Sequence, residues 1–136
     1  MAVADTRRLA TTMVSLPLPN VWLLRGPLGS GKTTLVRAVL QSLGYRGRVT
    51  SPTFVLRHDF TIEHRRWKRV VHVDAYRIRG PNEEAALDLA ATATDPKCLV
   101  LIEWPENLRH LPSRKSLVMN FSHQPRGRRV ALSRPI

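Results

Sequence analysis

The chain has 136 residues, enough for one domain with a real core, and its apolar fraction of 43% with 7 Gly and 10 Pro fits a globular protein. Its single cysteine, Cys98, excludes an intramolecular disulfide and a cysteine zinc cluster, and weakly favours a reducing compartment. The formal net charge of +12 comes from 22 Lys and Arg against 10 Asp and Glu, and it points to a polyanionic partner, with RNA the first candidate; a solvated basic surface is the equal alternative.

Residues 5 to 14 read as a short helix that Asp5 or Thr6 can cap, with Leu9, Met13 and Val14 as its apolar stripe. Arg7 and Arg8 hint at a targeting signal. Pro17 and Pro19 interrupt the stretch behind them, and no apolar run reaches the length of about 20 residues that spans a bilayer, so no membrane role and a cytoplasmic protein are expected. "VWLLRG", from Val21, is a buried strand ending in glycine. Lys32 to Leu43 places Leu35, Val36, Val39, Leu40 and Leu43 on one helical face, with Gly44 as the C-cap. Residues 45 to 53 are loop-like. "TFVLRHDFTI" and "RWKRVVHVDAYRI" follow as an antiparallel hairpin. "GPNEEAALDLA" starts a helix, with Asn82 as cap and Glu83 and Glu84 in the first turn. "CLVLIEW" is a second buried strand, and strands near Ser116 to Phe121 and Arg128 to Leu132 close the chain. This order predicts an α/β fold, a P-loop NTPase-like sandwich with a mixed β-sheet, as one domain over residues 1–136.

The stretch "GPLGSGKTT" matches Gly26-x-x-x-x-Gly31-Lys32-Thr33 and lies between a strand and a helix, as a phosphate-binding loop requires. Glycines let backbone N–H groups turn inward onto phosphate oxygens, and the helix N-terminus adds its positive dipole end. Pro27, Leu28, Gly29, Ser30, Gly31, Lys32, Thr33 and Thr34 are therefore the expected nucleotide contacts, with Lys32 on the β- and γ-phosphates and the Thr33 hydroxyl on Mg2+. The chain holds no Asn-Lys-x-Asp or Thr-Lys-x-Asp guanine signature, so ATP is the expected nucleotide.

Two acids end strands and are candidates for the metal site, Asp74 and Glu103. Glu103 is preferred on residues alone, because its strand is longer and more apolar. The alternatives are a partnership of Asp74 with Arg77, and a capping or surface role for Glu103. His72 shares a strand face with Asp74, but no third ligand has the spacing to complete a metal site. His58, His64, His110 and His123 read as surface residues and Cys98 as core. Thr53, in the loop "TSPTF", stands where switch-type NTPases sense the γ-phosphate; a plain turn is the alternative.

Taken together, "GPLGSGKTTLVRAVLQSLG", "TSPTFVL", "VHVDAYRI" and "LIEWPENLRHLP" resemble the TsaE (YjeE) family, over about residues 5 to 134. The resemblance implies a weak, Mg2+-dependent ATPase of tRNA threonylcarbamoyladenosine modification, acting with TsaD and TsaB and resetting that complex between turnovers. It implies roles for Lys32, Thr33, the switch residue Thr53, both acids Asp74 and Glu103, and Trp104 beside the nucleotide and the partner surface. Pro27 and Ser30 stand where the family loop carries aspartate and alanine. A small-molecule or nucleotide kinase is the alternative, although 136 residues leave little room for a second pocket and a lid. A nucleotide-gated binding module is the third.

Overall fold

The computed structural model describes residues 3–49, 55–112, 115–124 and 127–133. In chain order the elements are α1 (Val3–Ser15), β1 (Val21–Arg25), α2 (Lys32–Ser42), β2 (Arg57–Thr61), β3 (Arg69–Asp74), α3 (Pro81–Ala86), α4 (Leu89–Ala93), β4 (Cys98–Glu103), a 3-10 turn (Pro105–Asn107), β5 (Leu117–Gln124) and β6 (Gly127–Ser133). The strands form one sheet in the order β2-β3-β4-β1-β5-β6. β1 pairs in parallel with β4 and β5, and β3 in parallel with β4. β2 and β6 run antiparallel to their neighbours, so the sheet is mixed, as expected.

The continuous apolar runs are explained by burial on both faces. On one face Trp22, Leu24, Val70, Leu99, Leu101 and Met119 pack against Ala10, Met13, Leu35, Val36 and Val39 of α1 and α2. On the other, Val21, Leu23, Val71, Val73, Val100 and Ile102 meet Leu87, Leu89 and Leu108. Alternate residues of each strand thus feed different layers. Each such large apolar side chain, fully buried, contributes about 1.5–3 kcal/mol. Cys98 is wholly buried, as expected of a core residue.

Asn20 joins the layers at the base of β1. Its Oδ1 accepts from Arg66 Nη2 at 3.1 Å and from Trp67 Nε1 at 3.1 Å, while its backbone carbonyl accepts from Val100 N–H at 2.7 Å. Trp67 in turn meets Trp22 edge-on, with ring centroids 6.4 Å apart.

Two local expectations are corrected. Asn82 is not a cap: the helix begins at Pro81, preceded by Gly80 at φ 135, with no side-chain cap. Proline suits the first helical position because its missing N–H would be unpaired there anyway. The helix also does not continue, because Asp88 takes a left-handed conformation (φ 51) and α4 starts afresh at Leu89. Glu83 and Glu84 do lie in the first turn, as expected. Among the described residues no helix is long and apolar enough to cross a membrane.

Candidate nucleotide site

The site forms where β1, β3 and β4 end together. β1 delivers the chain into the loop at Gly26, whose φ is 151; a Cβ there would lie 2.7 Å from the Phe121 carbonyl oxygen, so only glycine fits. Gly29 (φ 72) and Gly31 (φ 103) supply two further left-handed turns. Ser30 N–H closes a turn onto the Pro27 carbonyl at 3.2 Å, and Leu35 N–H donates to Gly31 at 3.0 Å, which starts α2. The loop therefore curls over a helix N-terminus, the arrangement that gathers anions.

Lys32 and Thr33, the first residues of α2, project into the cleft. The Lys32 ammonium donates to the Gly26 carbonyl and sits 3.7 Å from the centroid of the Trp104 ring. Burial lowers its pKa from the ordinary lysine value, against the opposing pull of Glu103, Glu106 and Asp74. Thr33 Oγ1 donates to Glu103, lying 3.1 Å from Oε1 and 3.2 Å from Oε2.

Asp74 and Glu103 are register partners at the ends of the parallel strands β3 and β4. Glu103 is only 3% exposed, which removes the surface-acid alternative. Asp74 is half-buried; burial pushes its carboxyl up from the usual range, and it accepts the Tyr76 N–H at 3.0 Å rather than serving Arg77. Trp104 follows β4 in a left-handed conformation (φ 58, ψ 49), which turns the chain sharply out of the sheet. Its ring lies 4.9 Å from that of Tyr76.

Together these residues line a cleft of about 230 Å³: residues 28–34, Asp74, Tyr76, Glu103 and Trp104. Of the expected contacts, Leu28, Gly29, Ser30, Gly31, Lys32, Thr33, Thr34, Asp74, Glu103 and Trp104 come together. Pro27 does not line the cleft, and its carbonyl is spent within the loop. The Ser30 hydroxyl is buried without a partner among the described residues. Thr53 lies outside the described residues.

The sequence does not single out Tyr76, and it offers His72 only as a metal companion of Asp74, not as a partner of Glu103. Tyr76 was legible only as two places beyond Asp74. His72 is wholly buried, and its Nε2 lies 2.6 Å from Glu103 Oε2. The donor set suits magnesium: a hydroxyl and a carboxylate in contact, both hard oxygen ligands, beside a loop that offers backbone N–H groups to phosphate.

The family model described as "Threonylcarbamoyl adenosine biosynthesis protein TsaE" matches residues 1–131. Among curated proteins, the chain is 34% identical over 110 residues to the tRNA threonylcarbamoyladenosine biosynthesis protein TsaE of Haemophilus influenzae, covering 80% of this chain and 66% of that protein. It is 44% identical over 103 residues to the protein of the same name from Streptomyces coelicolor, covering 74% and 64%. A third, from Mycobacterium bovis, is 34% identical over 122 residues, covering 85% and 71%. The chain thus spans slightly less than two thirds of the first two relatives. The fold is similar to a crystal structure of Bacillus subtilis YdiB, with a TM-score of 0.71 at 20% identity over 97% of this chain and 79% of that one.

Proposed function

This chain belongs to the TsaE family, and from that premise we propose that it binds ATP with Mg2+ and hydrolyses it slowly in tRNA threonylcarbamoyladenosine biosynthesis. Hydrolysis resets a TsaD–TsaB transferase complex between turnovers. Residues 1–136 act in this as one ATPase domain in the cytoplasm.

The carrying observation is the convergence of Lys32, Thr33 and Glu103 on one glycine-lined cleft. Its 230 Å³ is below the roughly 300–1,000 Å³ of an ordinary ligand pocket, which suits a phosphate chain better than a whole nucleotide. The loop N–H groups and the α2 terminus bind the phosphates. Lys32 exchanges the Gly26 carbonyl and the Trp104 face for the β- and γ-phosphates. Thr33 and Glu103 would hold Mg2+, which when bound would supply positive charge against the phosphates. Asp74, the second acid of the cleft, orients the attacking water. Thr53 senses the γ-phosphate.

Trp104 and Tyr76 form an aromatic wall beside the phosphates, and Leu28 at the loop tip is 63% exposed. A partner covering that apolar rim would exclude water and change turnover, which is the behaviour a reset role needs. The test is Mg2+-dependent ATP hydrolysis by the chain alone and then with its cognate TsaD and TsaB. Slow turnover that changes on adding the partners, together with repeated rounds of tRNA modification, is the expected result. Hydrolysis indifferent to both proteins, with modification proceeding without this chain, overturns the proposal.

A further inference from the structure

Glu103 is gripped from two sides. Thr33 Oγ1 straddles its two oxygens from α2, and His72 reaches Oε2 from β3. His72 sits two register positions below the Asp74–Glu103 pair, its own partners being Leu101 on β4 and His58 on β2. The contact is thus a diagonal across two strands, within reach of a ring though not of a short side chain.

With the Glu103 carboxylate as acceptor, Nε2 is the donating nitrogen of this 2.6 Å contact. Nδ1 is buried and without a partner among the described residues. Packing alone does not call for this ring. Among the neighbours on the same sheet face, Val70, Leu99 and Leu101 are wholly buried aliphatics and His58 flanks on β2, and a leucine at 72 would leave no orphaned nitrogen. The contact described for the ring's nitrogens is the one from Nε2 to Glu103. A glutamate has three side-chain torsions to fix, and one short charge-assisted bond from below fixes the head group.

We propose that His72 is a positioning residue for Glu103, holding the carboxylate toward Thr33 so that hydroxyl and carboxylate form a ready pair for a divalent cation. The inference rests on the assignment of Thr33 and Glu103 to the cation in the function proposed above. Partners that orient a ligating carboxylate from behind typically matter by about 10–100-fold in metal affinity.

The experiment measures Mn2+ binding in the presence of ADP, from the free-ion EPR signal, for the wild-type chain and for His72→Leu, His72→Gln, His72→Asn and Glu103→Gln. ADP binding in EDTA and thermal stability are measured alongside. His72→Leu is expected to weaken Mn2+ about 10–100-fold while metal-free ADP binding is unchanged. His72→Gln, whose amide nitrogen reaches the height of Nε2, is expected to keep wild-type Mn2+ affinity. His72→Asn, which ends at the height of Nδ1, is expected to fall with the leucine variant. If the leucine variant fails to fold, the contrast between Gln and Asn decides the matter alone. Equal Mn2+ affinity across the His72 variants, with a clear loss in Glu103→Gln, overturns this inference and leaves the proposed function standing. No loss in Glu103→Gln removes both. A loss shared by Gln and Asn that follows thermal stability marks a structural histidine and also overturns it.

Discussion

At the scale of single residues, the cleft is governed by who already holds whom. The Lys32 ammonium is engaged by the Gly26 carbonyl and the Trp104 ring, so phosphate must compete with both. Under the proposed function phosphate displaces both, because an ammonium–phosphate bond of about 1.5–3 kcal/mol joins two opposite charges whereas the carbonyl is neutral. Lys32→Ala is therefore expected to weaken ATP binding by about 10–100-fold, read by titrating a fluorescent ATP analogue. Gly26→Ala tests the backbone rather than the charge. Its Cβ would strike the Phe121 carbonyl oxygen and Cβ, 2.7 and 2.8 Å away, at a positive φ. Left-handed strain and overpacking together predict a loss of about 3 kcal/mol in urea unfolding. The glycines were legible in the sequence because their spacing dictates a backbone shape. His72 was not, because its partner lies on another strand and only the register shows which one.

At the scale of elements, Arg57 fastens the edge strand β2 to the helices beside it. Its Nη1 donates to the Leu87 carbonyl at 2.6 Å and to Thr92 Oγ1 at 2.8 Å, while Nε bonds Asp59 at 2.8 Å. Those hydrogen bonds and the guanidinium charge hold the Asp59 carboxyl below its usual range. The unfolded chain then takes up a proton at higher pH than the folded one. The stabilisation is complete above about pH 4 and is lost as the pH falls through the lower folded value. Asp59→Asn is expected to flatten that acid dependence of the thermal midpoint. The effect is small and salt-sensitive, because Asp59 is about half exposed. The break between α3 and α4 offers the opposite case. Asp88 sits left-handed without a side-chain cap, so Asp88→Gly is expected to raise stability by about 0.5–1 kcal/mol, seen as a higher melting temperature. The long helices and buried strands were legible from periodicity and apolar runs. This break was not, since it depends on one residue adopting a conformation that composition does not announce.

At the scale of the whole molecule, the α/β class was legible, and the strand order was not. A hairpin, two apolar runs and a phosphate loop are compatible with several sheets; long-range register chooses among them. Charge, by contrast, is read directly. After Glu106 the chain carries seven Lys or Arg and no acid, and Arg7, Arg8, Arg37, Arg46 and Arg48 are all exposed. Bulk tRNA is expected to bind with an affinity that falls linearly in log–log against salt, by several orders between about 50 and 200 mM if six or more phosphates are engaged. Flat salt dependence in an anisotropy titration would show a basic surface that meets only solvent.

The central place of β1 has a consequence for biosynthesis. Val21 aligns with Val100, and Trp22 with Leu117, so both neighbours of this strand are translated long after it. A nascent polypeptide released before Cys98 offers β1 no neighbour on either edge, and its glycine loop has no sheet behind it. The sheet around β1 can close only once translation has passed Leu117.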